Sequence, residues 1–376
     1  MRPWLIASGD FTTSGGMDRA NYGLASYLAR TGRPVHLVAH RVASDLASQP
    51  GVSVHHVARP FGAHLIGAPL LSRAAQRVSR SLDRSTCRLA NGGNTVLPGG
   101  TWIHYLHAAH APAVNGSIRT SLAMRAGRRY HLKRERTAIE RADVIVCNSA
   151  RTAADVRAHY RVPESRLRVI YYGVDREHFK RASARERCTA RAALGIAANR
   201  YAALFVGALG DRRKGFDVLF DAWQALSADP AWDVDLLVAG DGGEQTSWIE
   251  RARRAGLEGS LRFIGFRHDV ASVLASADLL VHPARYEAYG LAVHEAICRG
   301  VPAIVTAGAG IAERYPPELG GLLLPDPPSP RALATALRAW RAHAEDWPGR
   351  IDPFAARLAS RSWDQMAAEI AAVIES

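Results

Sequence analysis

The sequence is poor in cysteine and nearly devoid of lysine. Its four cysteines, Cys87, Cys147, Cys188 and Cys298, lie far apart with no C-x-x-C pair, which argues against a disulfide scaffold and against a zinc knuckle. No apolar run approaches the ~18–20 residues of a membrane-spanning helix, and the opening segment Met1 to Asp10 is too short and too soon acidic for a secretory h-region. The expected location is therefore the cytoplasm. Neither G-x-G-x-x-G nor G-x-x-x-x-G-K-[ST] occurs, so a dinucleotide oxidoreductase and a P-loop nucleotidase both lose support. Lys133, Lys180 and Lys214 are the only lysines among 48 basic residues. No internal repeat or low-complexity segment stands out.

What remains is an ordinary globular composition, 48% hydrophobic and 22% charged over 376 residues, long enough for about two domains. The formal net charge of +13 is unevenly spread. Residues 1–180 carry 26 basic against 11 acidic side chains, and residues 181–376 carry 22 against 24. The densest basic run extends from Arg119 to Arg141 through Arg125, Arg128, Arg129, Lys133, Arg134 and Arg136, and reads as a helix with a cationic face. A plainly solvated face is one reading. The others are an anionic membrane surface, where each basic residue contributes roughly 1 kcal/mol, or an acidic or phosphorylated substrate. Nucleic acid is not expected, because the run lacks interleaved aromatics and a recognisable binding module.

Short apolar runs, each followed by a helical pattern, indicate α/β architecture. In the first half they begin at Trp4, Val35, Val52, Thr101, Val144 and Leu167; in the second, at Ala202, Leu236, Leu261, Leu279, Ala303 and Leu322. Two series of about six imply two doubly wound parallel sheets, Rossmann-like, facing a cleft into which the strands' carboxyl ends would point. The polar stretch from Arg176 to Arg191 separates them. The expected domains are 1–178 and 179–355, with 356–376 forming a helix that returns to the first domain.

Chemistry is expected in four places. After the first strand, Gly15-Gly16 precedes an amphipathic pattern with Met17, Leu24 and Leu28 on one face, and paired glycines at a helix start let backbone N–H groups approach a phosphate or sugar. His104, His107 and His110 follow another strand; on a strand-to-loop passage they would not share a face, so hydrogen bonding to a substrate is favoured over a metal. Arg212-Arg213-Lys214-Gly215 opens a helix beginning at Phe216, where three cations meet a dipole that is already positive, so an anion is the natural partner. Finally, Arg285-Tyr286-Glu287-Ala288-Tyr289-Gly290-Leu291-Ala292-Val293-His294-Glu295 follows a strand, placing Glu287 in a loop and Glu295 in the second turn of a helix that starts near Gly290. Asp233-Val234-Asp235 spells a D-x-D metal pattern but opens a strand, and is read as structural.

Glu-x7-Glu in this setting, with Gly240-Asp241-Gly242 before it and Arg299-Gly300-Val301-Pro302 after it, resembles the family 4 retaining glycosyltransferases (GT4), which have the GT-B fold. The resemblance extends to the Gly15-Gly16 loop, Gly173-Val174-Asp175 with Phe179, Gly207 with Lys214-Gly215, Phe263-Ile264-Gly265, Gly310-Ile311-Ala312-Glu313 and Gly320-Gly321-Leu322. It implies transfer of a sugar from a UDP- or GDP-linked donor to a glycan, lipid-linked or other hydroxyl acceptor in envelope or polysaccharide assembly, with no metal and no further cofactor. It places Gly16 at the donor's phosphate or sugar, Lys214 with Arg212 or Arg213 at the diphosphate, and Glu287 at the sugar hydroxyls. Gly290 and Leu291 would offer N–H groups, Glu295 would bind the ribose, and the main chain at Phe266 would meet the base. Asp241 and Tyr289 fall on the substrate side, and His107, or else His104, lies at the sugar and acceptor. The family usually has arginine where this chain has Ala208, and Arg212 or Arg213 would take that place. The basic first half fits peripheral association with the inner face of the cell membrane. A nucleotide-sugar epimerase on the same fold and a non-enzymatic basic surface protein are the competing classes.

Overall fold

The computed structural model describes residues 1–62, 64–111, 118–197, 199–210 and 212–376; the side chains of residues 64, 65 and 118–123 also lie outside the description. The chain forms two units, one of Met1–Gly173 with Arg361–Ser376 and one of Val174–Ser360.

The first unit is built on a seven-stranded parallel sheet. Its strands are β1 (Trp4–Ala7), β2 (Val35–Ala39), β3 (Val52–His56), β4 (Cys87–Asn91), β5 (Gly100–Ile103), β6 (Val144–Cys147) and β7 (Leu167–Val169). They lie in the order β3-β2-β1-β4-β5-β6-β7, a doubly wound arrangement whose order reverses beside β1. All four residues of β1 are buried, as expected of an uninterrupted apolar strand covered on both faces. β4 is the strand the sequence pattern does not announce, because Arg88 and Asn91 interrupt its short apolar run. Its Asn91 amide donates to Ser8 Oγ, as does the amide of Asn21, joining β4, β1 and the Gly16–Arg30 helix through one buried hydroxyl. That helix is capped by Gly15 at φ 82 and buries Leu24 and Leu28, whereas Met17, expected beside them, is 38% exposed. The C-terminal helix Trp363–Glu375, closed by a capping box between Ser362 and Gln365, packs against Gly16–Arg30.

The second unit has a six-stranded parallel sheet of β8 (Tyr201–Val206), β9 (Val234–Ala239), β10 (Leu261–Gly265), β11 (Leu279–His282), β12 (Ala303–Thr306) and β13 (Leu323–Leu324). The order β10-β9-β8-β11-β12-β13 reverses beside β8. The unit begins at Val174, five residues before the expected boundary, and the segment following that boundary is tied to it: Arg299 Nη1 donates to Lys180 O at 2.7 Å and Ala182 N to Arg299 O at 3.2 Å. It ends at Ser360 rather than 355, since Trp347–Ala359 is one helix that packs against Leu291–Cys298.

Candidate functional site

In the second unit, loops after β8, β9 and β11 are stitched together by their backbones. Gly207 N donates to Ala239 O at 3.0 Å and Leu209 N to Asp241 O at 2.7 Å, while Arg285 N donates to Arg213 O at 2.8 Å. Gly215, at φ +73, ends the turn Arg212–Lys214 and caps the helix Phe216–Ser227; a Cβ there would overlap the carbonyl of Pro283. Only glycine permits both that backbone and that approach. Lys214 is thereby carried to the end of β11.

There Lys214 Nζ donates to Glu287 Oε2 at 2.6 Å, His282 Nε2 lies 3.0 Å from the same oxygen, and Arg213 Nη1 3.9 Å from it. Arg213 is held in turn by a 3.0 Å bond to Tyr286 O. Burial alone would raise the Glu287 pKa, but Lys214, His282 and Arg213 outweigh it and hold the carboxyl well below the usual range. Glu287 O accepts from Gly310 N at 3.0 Å and Tyr289 O from Ile311 N at 2.6 Å, which fixes the loop. Gly290, at φ 106, caps Leu291–Cys298, and among the described residues no side chain caps that helix, so its first N–H groups and the positive end of its dipole can serve an anion or hydroxyl. Glu295 is buried in its second turn.

The remaining expected residues of this unit divide. Phe266 directly follows β10 and is 57% exposed, and Asp241 is exposed after β9. Arg212 is exposed, 3.9 Å from Glu244. Tyr289 has a buried side chain, with the hydroxyl 2.8 Å from His294 Nδ1. Arg285 is locked to Asp217 by two bonds of 2.7 Å. Asp233 and Asp235 are engaged by arginines, Asp233 through Arg341 Nε at 2.7 Å and Asp235 through Arg200 Nη2 at 2.7 Å.

In the first unit, His107 follows β5 and its ring stacks on His131, centroids 4.8 Å apart and planes 10° apart. The His107 main-chain N–H donates to Glu135 Oε2 at 2.6 Å; Glu135 Oε1 accepts from Ala108 N at 3.0 Å and from the Tyr160 hydroxyl at 2.5 Å. Burial, then His131 and Arg128, lower the His107 pKa to about 4. His104 is deeper, 8% exposed, with Nδ1 bonded to the Tyr172 hydroxyl, and burial lowers it to about 3. Of the two, His107 is the less buried residue. Gly16 is the first residue of its helix, as expected, but Asp18 lies in the first turn, its pKa pushed up to about 6 by burial and by Asp10.

The basic run forms the helix Ile118–Arg141, yet its cations are not equivalent. Arg134 turns onto the fold, donating to Gly93 O at 3.2 Å and Asn94 O at 3.0 Å, and Arg136 reaches Glu140 and the Tyr160 ring. Arg128 is half-buried. Arg125, Arg129 and Lys133 are exposed and, among the described residues, meet no acidic partner. The Arg119 side chain lies outside the described residues.

Two family models match the chain: Glycosyltransferase Family 4 over residues 14–178 and Glycosyl transferases group 1 over residues 200–342. The chain belongs to the group 1, family 4 glycosyltransferases. A D-inositol 3-phosphate glycosyltransferase of Corynebacterium urealyticum is 30% identical over 253 residues, 64% of this chain and 58% of that protein; the match thus spans less than two thirds of the relative. Among solved structures, WaaG, a glycosyltransferase involved in lipopolysaccharide biosynthesis, superposes with TM-score 0.78 at 20% identity, covering 99% of both chains. Anabaena HepE, in complex with UDP and glucose, gives 0.73 at 19%, covering 100% of this chain and 99% of that one. This glycosyltransferase therefore has the GT-B fold of two parallel-sheet α/β domains. Two polar residues of its sites are not singled out by the sequence pattern, His282 and Glu135. A histidine ending a strand five positions before Glu287 was a legible signal for the first; the second carried none.

Proposed function

We propose that this glycosyltransferase moves a sugar from a UDP- or GDP-linked donor to a hydroxyl of a glycan or lipid-linked acceptor, with retention of anomeric configuration. The observation that carries the reading is the meeting of Lys214, Arg213 and Glu287 in the unit whose helix Leu291–Cys298 begins without a side-chain cap. Breaking a sugar–phosphate bond leaves an oxocarbenium-like sugar and a nucleoside diphosphate, so catalysis rests on stabilising the leaving group's negative charge. Lys214, Arg213 or Arg212, and the N–H groups of Gly290 and Leu291 at the start of that helix supply that stabilisation. Glu287 orients the sugar hydroxyls, Glu295 takes the ribose and the main chain at Phe266 the base. His107 contributes a neutral imidazole on the acceptor side.

Attack on the face from which the diphosphate departs accounts for retention; a covalent route would need Glu287 or another carboxylate against the anomeric carbon. The engagement of Asp233 and Asp235 by arginines supports a metal-independent reaction. HepE was crystallised with UDP and glucose and WaaG serves lipopolysaccharide biosynthesis, which supports a UDP-sugar and an envelope glycan as the first donor and acceptor to try. Arg125, Arg129 and Lys133 support a position at an anionic membrane surface. No helix among the described residues is long and apolar enough to cross a membrane.

Incubation with UDP- and GDP-sugars, with and without a lipid-linked acceptor, tests the proposal. Acceptor-dependent release of nucleoside diphosphate and a glycosylated product are expected. Interconversion of the donor without acceptor would instead make the chain an epimerase.

A further inference from the structure

Lys214, His282 and Arg213 all converge on one oxygen of Glu287, Oε2, and among the described residues no hydrogen bond reaches Oε1. Adjacent cations at a helix start need an anion, and here the chain itself supplies it. A diphosphate seated at Lys214 would face the Glu287 carboxylate, a like charge that Lys214 currently neutralises. The two anions compete for one ammonium.

His282 has no such competitor. It is the last residue of β11, 1% exposed. To donate to Oε2 its proton must sit on Nε2, which leaves Nδ1 a bare acceptor. Nδ1 is buried and, among the described residues, meets no partner, and a second proton there would be an unpaired buried donor. The ring is thus a neutral donor fixed in one tautomer.

We infer that Glu287 is an internal counter-ion which the donor's diphosphate displaces from Lys214, and that His282 is the positioning residue that holds the released carboxylate with Oε1 turned to the sugar. The inference rests on the donor reading above. It makes the empty site self-neutralised and ties exposure of the working carboxylate to arrival of the pyrophosphoryl group.

The test is calorimetric titration of inorganic pyrophosphate, UDP and GDP into the full chain and its variants. Glu287→Gln should bind pyrophosphate about fivefold or more tightly than the wild type, since it frees Lys214 and removes a like charge, and when Lys214→Ala is compared with Lys214→Ala/Glu287→Gln the part of the gain that comes from freeing Lys214 should be lost, leaving only the relief of like-charge repulsion. Unchanged or weaker pyrophosphate binding by Glu287→Gln overturns the exchange while leaving the donor reading intact. If the wild type binds none of the three ligands, the donor reading falls and the exchange with it.

For His282, two variants of comparable thermal melting separate positioning from folding. His282→Leu should lower kcat for donor turnover by about tenfold with pyrophosphate affinity within about twofold, and His282→Gln, which returns a neutral N–H donor, should restore most of it. Normal turnover in His282→Leu, or equal loss in both variants, overturns the positioning role.

Discussion

Glu135 grips His107 by its main chain, accepting the His107 N–H at 2.6 Å on one carboxylate oxygen while the other accepts the Ala108 N–H at 3.0 Å. The carboxylate is buried with neutral donors on both oxygens, and burial, its largest influence, raises its pKa. Removing it leaves two backbone donors and the Tyr160 hydroxyl without their acceptor, a loss of about 1–3 kcal/mol per group left unpaired. Glu135→Ala is expected to lower acceptor-dependent turnover by at least about tenfold and to depress melting, whereas Tyr160→Phe should lower melting modestly with turnover largely kept. Steady-state kinetics beside thermal melting checks both.

His107 should work as a neutral ring. Its folded pKa of about 4 lies below the ordinary 6.5 because of burial, His131 and Arg128. Between those values the unfolded chain binds the extra proton, so stability falls as pH drops through that window. Transfer is expected to show no histidine limb near pH 6.5, and His107→Gln should flatten the decline in melting temperature between about pH 6.5 and 4. A kcat/KM limb at 6.5 that disappears in His107→Gln would contradict this.

At the second unit's site, the two partners of one ion pair should have separable effects. Lys214→Ala is expected to weaken free nucleoside diphosphate by about tenfold or more. Glu287→Gln should lower turnover by at least about tenfold without weakening that ligand. Calorimetry and initial rates distinguish the two losses.

Asp233 should matter to folding alone. It is bound to Arg341, whose guanidinium also lies 4.0 Å from the centre of the Tyr201 ring. For a half-exposed pair, Asp233→Asn should cost about 0.5–1 kcal/mol and leave turnover within about twofold, with no new response to added manganese. Melting curves and rates with and without the metal would reveal a metal-binding role instead.

The cationic helix should bind membranes through three residues. Co-sedimentation with anionic vesicles at low salt is expected to fall severalfold in Arg125→Ser/Arg129→Ser/Lys133→Ser, and to be abolished by high salt in the wild type. Equal pelleting of triple variant and wild type would remove that surface.

The sequence made legible what repeats with a period or a spacing. Twelve of the strands of the two large sheets stand out as apolar runs, the central ones because parallel strands are covered on both faces, while Cys87–Asn91 does not, its arginine tying the strand to Ser79 of a neighbouring helix and its asparagine tying it to Ser8. Glu287 and Lys214 were visible because glycines at positions 290 and 215 mark the backbone turns that carry them. Glu135 was not, since it lies in a run of arginines and its partners are 25 to 28 residues away in sequence. The inward turn of Arg134 toward Gly93 and Asn94 likewise depends on tertiary neighbours, which no local pattern specifies.

The most direct test is a crystal structure of the chain soaked with UDP or GDP. The diphosphate should sit within hydrogen-bonding distance of Lys214 Nζ and the N–H groups of Gly290 and Leu291, with the ribose at Glu295. A ligand bound elsewhere, with Lys214 still on Glu287, would contradict the account.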